Sequence, residues 1–297
     1  MATENGGLVP QLGETKGKEQ AIGCSEHEIA HSLASAGYKV HLSQGVWWQQ
    51  TGPSFVKPVN PMKAIEPGEA FPAYFGSLLG YSHVVADPNQ ANWFRSVMLL
   101  NEENLSDFGF GKLNRGKRSS VRKALRNLVI QDITELEPHL ELMAEICTSQ
   151  ASRNAHGQPP EYYVKHYPRW AAFMRREFSI PGRIWLGAFL ETRLVGYYYA
   201  YVIDGTMYIS AAKSHTAALN MRLNEGMVFT LLERGQADAN CRRVIFGDWS
   251  DDAPSLNKFK ESFGFRRWDV PVFRRLRWPA RLVLLWRSLP RHSGVNR

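Results

Sequence analysis

Cysteine is scarce in this 297-residue chain: Cys24, Cys147 and Cys241 are an odd set, too far apart for any C-x-x-C pair. That argues against a disulfide framework or a structural zinc centre and suits a reducing, cytoplasmic compartment. Long apolar runs are also missing. The best stretch, Leu194 to Ile203, is rich in tyrosine and falls short of the roughly 18 residues a membrane-crossing helix needs. The nine histidines include no H-E-x-x-H, so metal catalysis lacks support. There is no G-x-S-x-G, no G-x-x-x-x-G-K-[ST] and no dinucleotide-binding glycine fingerprint, which argues against hydrolase, NTPase and dehydrogenase chemistry. Acidic residues are in deficit, 28 Asp+Glu against 36 Lys+Arg, a net charge of +8. An anionic partner fits that balance, whether nucleic acid, a phosphate-bearing cofactor or a membrane surface.

What is present is ordinary for a folded chain. At 44% hydrophobic and 22% charged, the composition excludes wholesale disorder. The length allows one large domain or two of about 150 residues each. The first twenty residues carry Glu4, Glu14, Lys16, Lys18 and Glu19 among glycines with no apolar core. They read as a flexible tail over 1–20, not as a secretory signal.

The charge is concentrated in two places. From Lys112 to Arg126 there are seven cations and no acid. Arg115, Arg118, Arg122 and Arg126 form one helical stripe, and Val121, Ala124, Leu125 and Leu128 another, so the segment reads as an amphipathic helix with one packed and one basic side. From Arg266 to the end, nine arginines face the single acid Asp269. There Trp278, Leu282, Leu285 and Trp286 share a face that suits docking on the protein body or an anionic membrane surface.

Periodicity gives an element order. Glu26 to Ala36 reads as a helix and Arg95 to Leu100 as a strand, while Val46 to Ala86 is too broken by aromatics, proline and glycine to assign. Thr134 to Ser149 and Tyr162 to Phe178 read as helices. Strands follow at Arg183 to Leu190, Leu194 to Ile203 and Thr206 to Ala211, the last two joined by a two-residue turn at Asp204-Gly205. Leu223 to Gln236 is helical, Val244 to Phe246 a brief strand, Pro254 to Phe263 a short helix burying Leu256, Phe259 and Phe263 with Gly264 past its end, and Phe265 to Leu276 a last strand. This is a mixed-sheet α/β layout, not a doubly wound one.

Three segments resemble the FemAB-like branch of the GNAT acyltransferase superfamily. The basic stretch Lys117-Arg118-Ser119-Ser120-Val121-Arg122-Lys123-Ala124 is similar to the family's K-x-R-x-x-x-R-x-A helix. The hairpin from Leu194-Val195-Gly196-Tyr197 to Ser210 is similar to its central strands. The run Ile245-Phe246-Gly247-Asp248, followed by Ser255 to Phe265 with its F-K-x-x-F-G word, is similar to the closing segment and is the most specific of the three. The resemblance implies a GNAT-like mixed sheet flanked by helices, in two halves: a degenerate one over 21–125 ending in the basic helix and an acyltransferase unit over 126–277. The segment 278–297 reads as a basic C-terminal helix or tail.

The resemblance also implies transfer of an acyl or aminoacyl group from acyl-CoA or aminoacyl-tRNA to an amine on a small molecule, a lipid or a cell-wall precursor. Such chemistry needs a site for donor phosphates, a group for the developing oxyanion and a route for the amine's proton. Arg222, Asn224 and Gly226 lie where GNAT enzymes carry R/Q-x-x-G-x-G/A, with the glycine displaced. Arg118 and Arg122 of the basic helix, with Lys258 and Lys260 flanking Phe259, complete the candidate donor-binding set. For proton transfer the candidates are Asp248 at a strand end and Tyr208 and Ser210, which alternation places on one side of the sheet, with Glu225 just beyond. Two other classes use the same residues: a noncatalytic RNA-binding adaptor reading RNA through the arginines, and a peripheral membrane acyltransferase anchored by Trp278 to Trp286.

Overall fold

The computed structural model describes residues 23–277, apart from positions 53, 69–71, 73–76, 78 and 154–157. The expected tail over 1–20 and the Trp278 to Trp286 segment lie outside the described residues. The first stretch of chain runs through β1 (Gly23–Cys24), α1 (Glu26–Ser35), β2 (Val40–Ser43), β3 (Val46–Gly52), β4 (Phe55–Pro58), β5 (Gly80–Val84), β6 (Trp93–Leu100), α2 (Glu102–Ser106) and α3 (Arg115–Asn127). The second runs through β7 (Val129–Asp132), α4 (Leu140–Arg153), α5 (Pro160–Lys165), α6 (Tyr167–Phe178), β8 (Arg183–Leu190), β9 (Arg193–Ile203) and β10 (Thr206–Ser214). It ends with α7 (Leu223–Ala237), β11 (Arg243–Asp248), α8 (Pro254–Glu261) and β12 (Arg266–Leu276).

Local chemistry explains the boundaries. Helix α1 starts at a capping box in which Ser25 Oγ accepts from the Glu28 backbone at 3.3 Å and the Ser25 backbone donates to Glu28 Oε2 at 2.8 Å. Helix α3 starts where Asn114 Oδ1 accepts from the Lys117 amide at 2.8 Å. The single helix expected over Tyr162 to Phe178 is two, because Pro168 has no N–H and its ring opposes the carbonyl four residues back; the chain breaks at His166 and α6 begins with the proline in its first turn. The Asp204-Gly205 turn has φ of 45° and 79°, positive at both central positions as a tight hairpin of this hand requires. Val46 to Ala86 supplies β3, β4 and β5, three strands without a clean alternation. Leu256, expected inside, is 46% exposed; α8 buries Asn257 and Lys260 instead.

The strands form one continuous mixed sheet in the order β2-β3-β4-β5-β12-β6-β11-β10-β9-β8-β7, with β1 parallel to β9. The last strand in sequence, β12, lies between β5 and β6 and is antiparallel to both. The final strand of the second stretch therefore pairs with strands of the first, and β6 pairs with β11. One face of the sheet packs against α3, α7 and α8 through residues including Met98, Val121, Met207, Met227, Phe246 and Phe263. The opposite face is covered by α4 to α6 over β8 and β9, and by α1 over β11 and β12.

One irregularity positions the site. Strands β10 and β11 run parallel through Thr206↔Arg243, Met207↔Val244 and Tyr208↔Ile245, and no further. Beyond that point β10 stays with β9 past a bulge at Ser210, and β11 stays with β6 past a second irregularity between Ile245 and Asp248, where Gly247 has φ of 64°. The sheet is opened at its centre.

Candidate active site

Lys260 approaches the split from the helical face. Its side chain comes up from α8, is only 4% exposed, donates from Nζ to the Asp248 carbonyl at 3.0 Å and lies 5.2 Å from the centre of the Phe246 ring. Burial disfavours the ammonium and lowers its pKa to about 8, the Asp248 carboxylate partly offsetting that effect. Lys258, two residues earlier, is exposed. The expectation that only one of the pair shares the buried side holds, and Lys260 is that one.

Beside it the starts of α3 and α7 meet. Lys117 turns inward from the basic helix, with Nζ 4.8 Å and 5.0 Å from the ring centres of Phe259 and Phe263 and 3.7 Å from Glu225 Oε1. Desolvation lowers its pKa, with Glu225 opposing. Arg222 occupies the left-handed position before α7 and also reaches Glu225, at 3.7 Å. Asn224 Oδ1 accepts from Tyr198 Oη at 3.1 Å and from Ser214 Oγ, tying the first turn of α7 to β9 and β10. Gly226 sits where α7 crosses α3: a Cβ there would lie 2.8 Å from Ala124 Cβ and 2.7 Å from Ile130 Cδ1. Asn224 and Gly226 thus serve packing, while Arg222 has its guanidinium half exposed. On the outer side of α3, Arg118 donates to the Gly111 carbonyl at 3.1 Å and Arg122 lies 4.8 Å from the centre of the Phe110 ring.

On the opposite face, Asp248 Oδ1 accepts from Arg95 Nε at 2.8 Å, with the carboxylate more than half exposed. Tyr208 is buried and its hydroxyl donates to Asn60 Oδ1 at 3.1 Å; Asn60 in turn donates to Asp204 Oδ2 at 2.9 Å. Burial pushes the Tyr208 phenol well up. Ser210, at the bulge, lines a cavity of about 180 Å³ between the two halves, walled by Leu33, Tyr38, Arg183, Tyr199 and Tyr201. Tyr208 does not line it. Within it Arg183 Nη1 pairs with Glu177 Oε2 at 3.0 Å, and Tyr38 donates to the other oxygen of Glu177. Tyr38 is raised to about 12, by burial first and Glu177 second. Among the described residues, no three His, Cys, Asp or Glu side chains come together as a metal site.

Of the residues singled out in the sequence, Lys260 meets the Asp248 carbonyl and Arg222 meets Glu225, and the alternation argument put Met207 and Ile209 on the face opposite Tyr208. It passed over the inward turn of Lys117, and it missed the Glu177–Arg183 pair. The Lys117 signal was legible: it lies off the arginine stripe, four residues before Val121 on the packed face. The pair left none, since Glu177 and Arg183 are ordinary charges at a helix end and a strand start.

No protein-family model matches the chain, and no curated protein does. Solved structures do. FemX shares 10% identity at a TM-score of 0.58, over 87% of this chain and 92% of its own. The C-terminal domain of a putative lysylphosphatidylglycerol synthetase from Agrobacterium fabrum shares 9% at 0.53, over 88% and 96%. L-PGS from Bacillus licheniformis shares 13% at 0.54, over 90% and 98%. At these identities the likeness is one of fold. The mixed sheet flanked by helices that was expected from the sequence is the fold of this chain, and that fold is like the one of FemX.

Proposed function

We propose that this FemX-like fold carries an N-acyltransferase, moving an acyl or aminoacyl group from an activated, phosphate-bearing donor to a primary amine. The observation that carries the reading is the parting of β10 from β11 at Tyr208/Ile245, with the buried ammonium of Lys260 on one face and the Ser210 cavity on the other. In this reading the donor, acyl-CoA or aminoacyl-tRNA, lies on the helical face, where Lys117, Arg222, Arg118 and Arg122 supply positive charge. Exposed Lys258 adds charge to that surface.

The acceptor enters from the cavity side. Its nitrogen attacks the donor carbonyl, an amide bond forms, the thioester or ester bond breaks, and the proton lost by the amine leaves on the departing sulfur or oxygen. Lys260 is placed to stabilise negative charge on the carbonyl oxygen, and holding the two reactants across the split supplies proximity. Asp248 positions Lys260 through its carbonyl and Arg95 through its carboxylate. Tyr208, with its hydroxyl committed to Asn60, is a positioning residue, and Ser210 marks the acceptor's way in. Asn224 and Gly226 fix α7 against β10 and α3.

One similar structure is a putative lysylphosphatidylglycerol synthetase, which by its name joins a lysyl group to a phospholipid; phosphatidylglycerol offers a hydroxyl, so the name supports aminoacyl transfer and not the amine as acceptor. In our reading the acceptor is an amine on a small molecule, a lipid or a cell-wall precursor, at a cytoplasmic membrane surface or away from it. Among the described residues no helix is long and apolar enough to cross a membrane.

The test is transfer of label from acetyl-CoA or from aminoacyl-tRNA to a mixture of primary amines, read as amide product by mass spectrometry. Transfer from one donor that falls at least tenfold in Lys260→Met supports the reading. Salt-sensitive tRNA binding with no transfer from either donor overturns it in favour of an RNA-binding adaptor.

A further inference from the structure

One wall of the cavity beneath β8 to β10 is a cation with hydrogen-bonding capacity to spare. Arg183 is nine-tenths buried, and its Nη1 pairs with Glu177. Its Nε is buried with no partner. A buried guanidinium with an unmet donor is costly, and Arg183 lines the cavity. The guanidinium is fixed in place, with its carbon 5.4 Å and 5.2 Å from the ring centres of Tyr199 and Tyr201. Elsewhere in the same chain the Nε and Nη2 edge of an arginine does what that edge does best: Arg175 grips Glu137 with Nε at 2.7 Å and Nη2 at 2.9 Å.

The rest of the cavity says which charge is wanted. Both oxygens of Glu177 are engaged, one by Tyr38 and one by Arg183, so it is not free to receive an ammonium. Because Glu177 already offsets Arg183, a monoanion fits the site better than a doubly charged phosphate, which would sit beside the carboxylate. The volume of about 180 Å³ far exceeds the roughly 15 Å³ one water needs. From Arg183 the cavity runs to Ser210, the bulge residue at the split.

We propose that this cavity binds the carboxylate of the acceptor on the guanidinium of Arg183, with the acceptor's amine directed past Ser210 to the split between β10 and β11. The acceptor class is then an amino carboxylate, a free amino acid or the carboxyl end of a short peptide. The inference deepens the acyltransferase reading and rests on it for the word acceptor; the carboxylate site itself rests on the cavity alone.

Binding separates the two. The probes are a series of ω-amino carboxylates from glycine to 6-aminohexanoate, the alkylamines of matched length, and inorganic phosphate, titrated calorimetrically into the full chain without donor. One or more of the carboxylates should bind with an optimum length, and the matched amines at least tenfold more weakly. Arg183→Lys keeps a cation beside Glu177 but loses the planar edge, and should weaken the best carboxylate at least tenfold. The paired variant Arg183→Gln/Glu177→Gln removes both buried charges together and should abolish binding while the chain stays folded by circular dichroism. Amines that bind as tightly as carboxylates, phosphate that binds tighter than all of them, no binding by any probe, or unchanged affinity in Arg183→Lys overturns the proposal. Carboxylate binding without transfer from either donor leaves this site standing and removes the acyltransferase reading.

Discussion

In the proposed acyltransferase reading, Lys260 is the residue on which the chemistry turns. With its pKa drawn down to about 8 by burial, it changes charge within an ordinary assay range. If its ammonium stabilises the carbonyl oxygen, the turnover rate shows a descending limb near pH 8, and Lys260→Arg moves that limb beyond the measured range. A limb that persists unchanged in Lys260→Arg contradicts the role. Stability carries an independent sign. Between about pH 8 and the ordinary lysine value the unfolded chain binds the proton that the folded chain has released, so this group makes folding more favourable as pH rises through that window. The difference in unfolding free energy between wild type and Lys260→Met should therefore shift in favour of wild type from pH 8 to 10, measured by denaturant titration. Taking the difference cancels the buried tyrosines and cysteines, whose shifts run the other way.

Legibility at this scale depended on sequence neighbours. Lys258 and Lys260 bracket Phe259, so their division into one buried and one exposed side chain followed from helix geometry. Tyr208 and Ser210 were placed on the right face by alternation, yet only Ser210 reaches the cavity, because Asn60, 148 positions away, takes the Tyr208 hydroxyl. Long-range partners of that kind leave no trace in local spacing.

At the scale of elements, α3 and α7 make the donor side in the proposed reading. Their crossing at Gly226 leaves no room for a methyl group, so Gly226→Ala should cost about 1–3 kcal/mol in an unfolding titration, the usual range for overpacking. An unchanged midpoint would mean that the crossing is looser than described. The outer stripe behaves differently. Arg118 and Arg122 touch only Gly111 and Phe110 there, so the double change to Glu should leave thermal stability nearly intact while weakening donor affinity at least tenfold and flattening its salt dependence. Unchanged donor affinity would remove the phosphate-binding assignment.

Elements with strong local signals were readable: the helix over Glu26 to Ala36, the Asp204-Gly205 hairpin, the amphipathic α3. Strands β3 to β5 were not, because tertiary pairing and not alternation makes them strands; β3 carries Trp47, Trp48 and two glutamines side by side. The break between α5 and α6 was marked by Pro168 all along, overlooked because apolar spacing runs on through it.

Across the whole molecule, β12 ties the end of the chain to its first stretch. It returns from the end of the second stretch to lie between β5 and β6, and β6 carries β11 on its other side. The described residues are thus expected to unfold in one cooperative transition, with fluorescence and circular dichroism coinciding; two resolved transitions would contradict a shared sheet. This insertion was invisible in the sequence, where Phe265 to Leu276 reads as a strand with no hint of its neighbours. The split between β10 and β11 has a neighbour on each side, β9 beside β10 and β6 beside β11.

The most direct test of that arrangement is hydrogen exchange of the full chain with and without a saturating donor, acetyl-CoA or aminoacyl-tRNA. An acyltransferase built on this split should show new protection together in 209–214, 222–227 and 246–248, along both strands and the start of α7. Protection confined to the outer face of α3, or none with either donor, would contradict it.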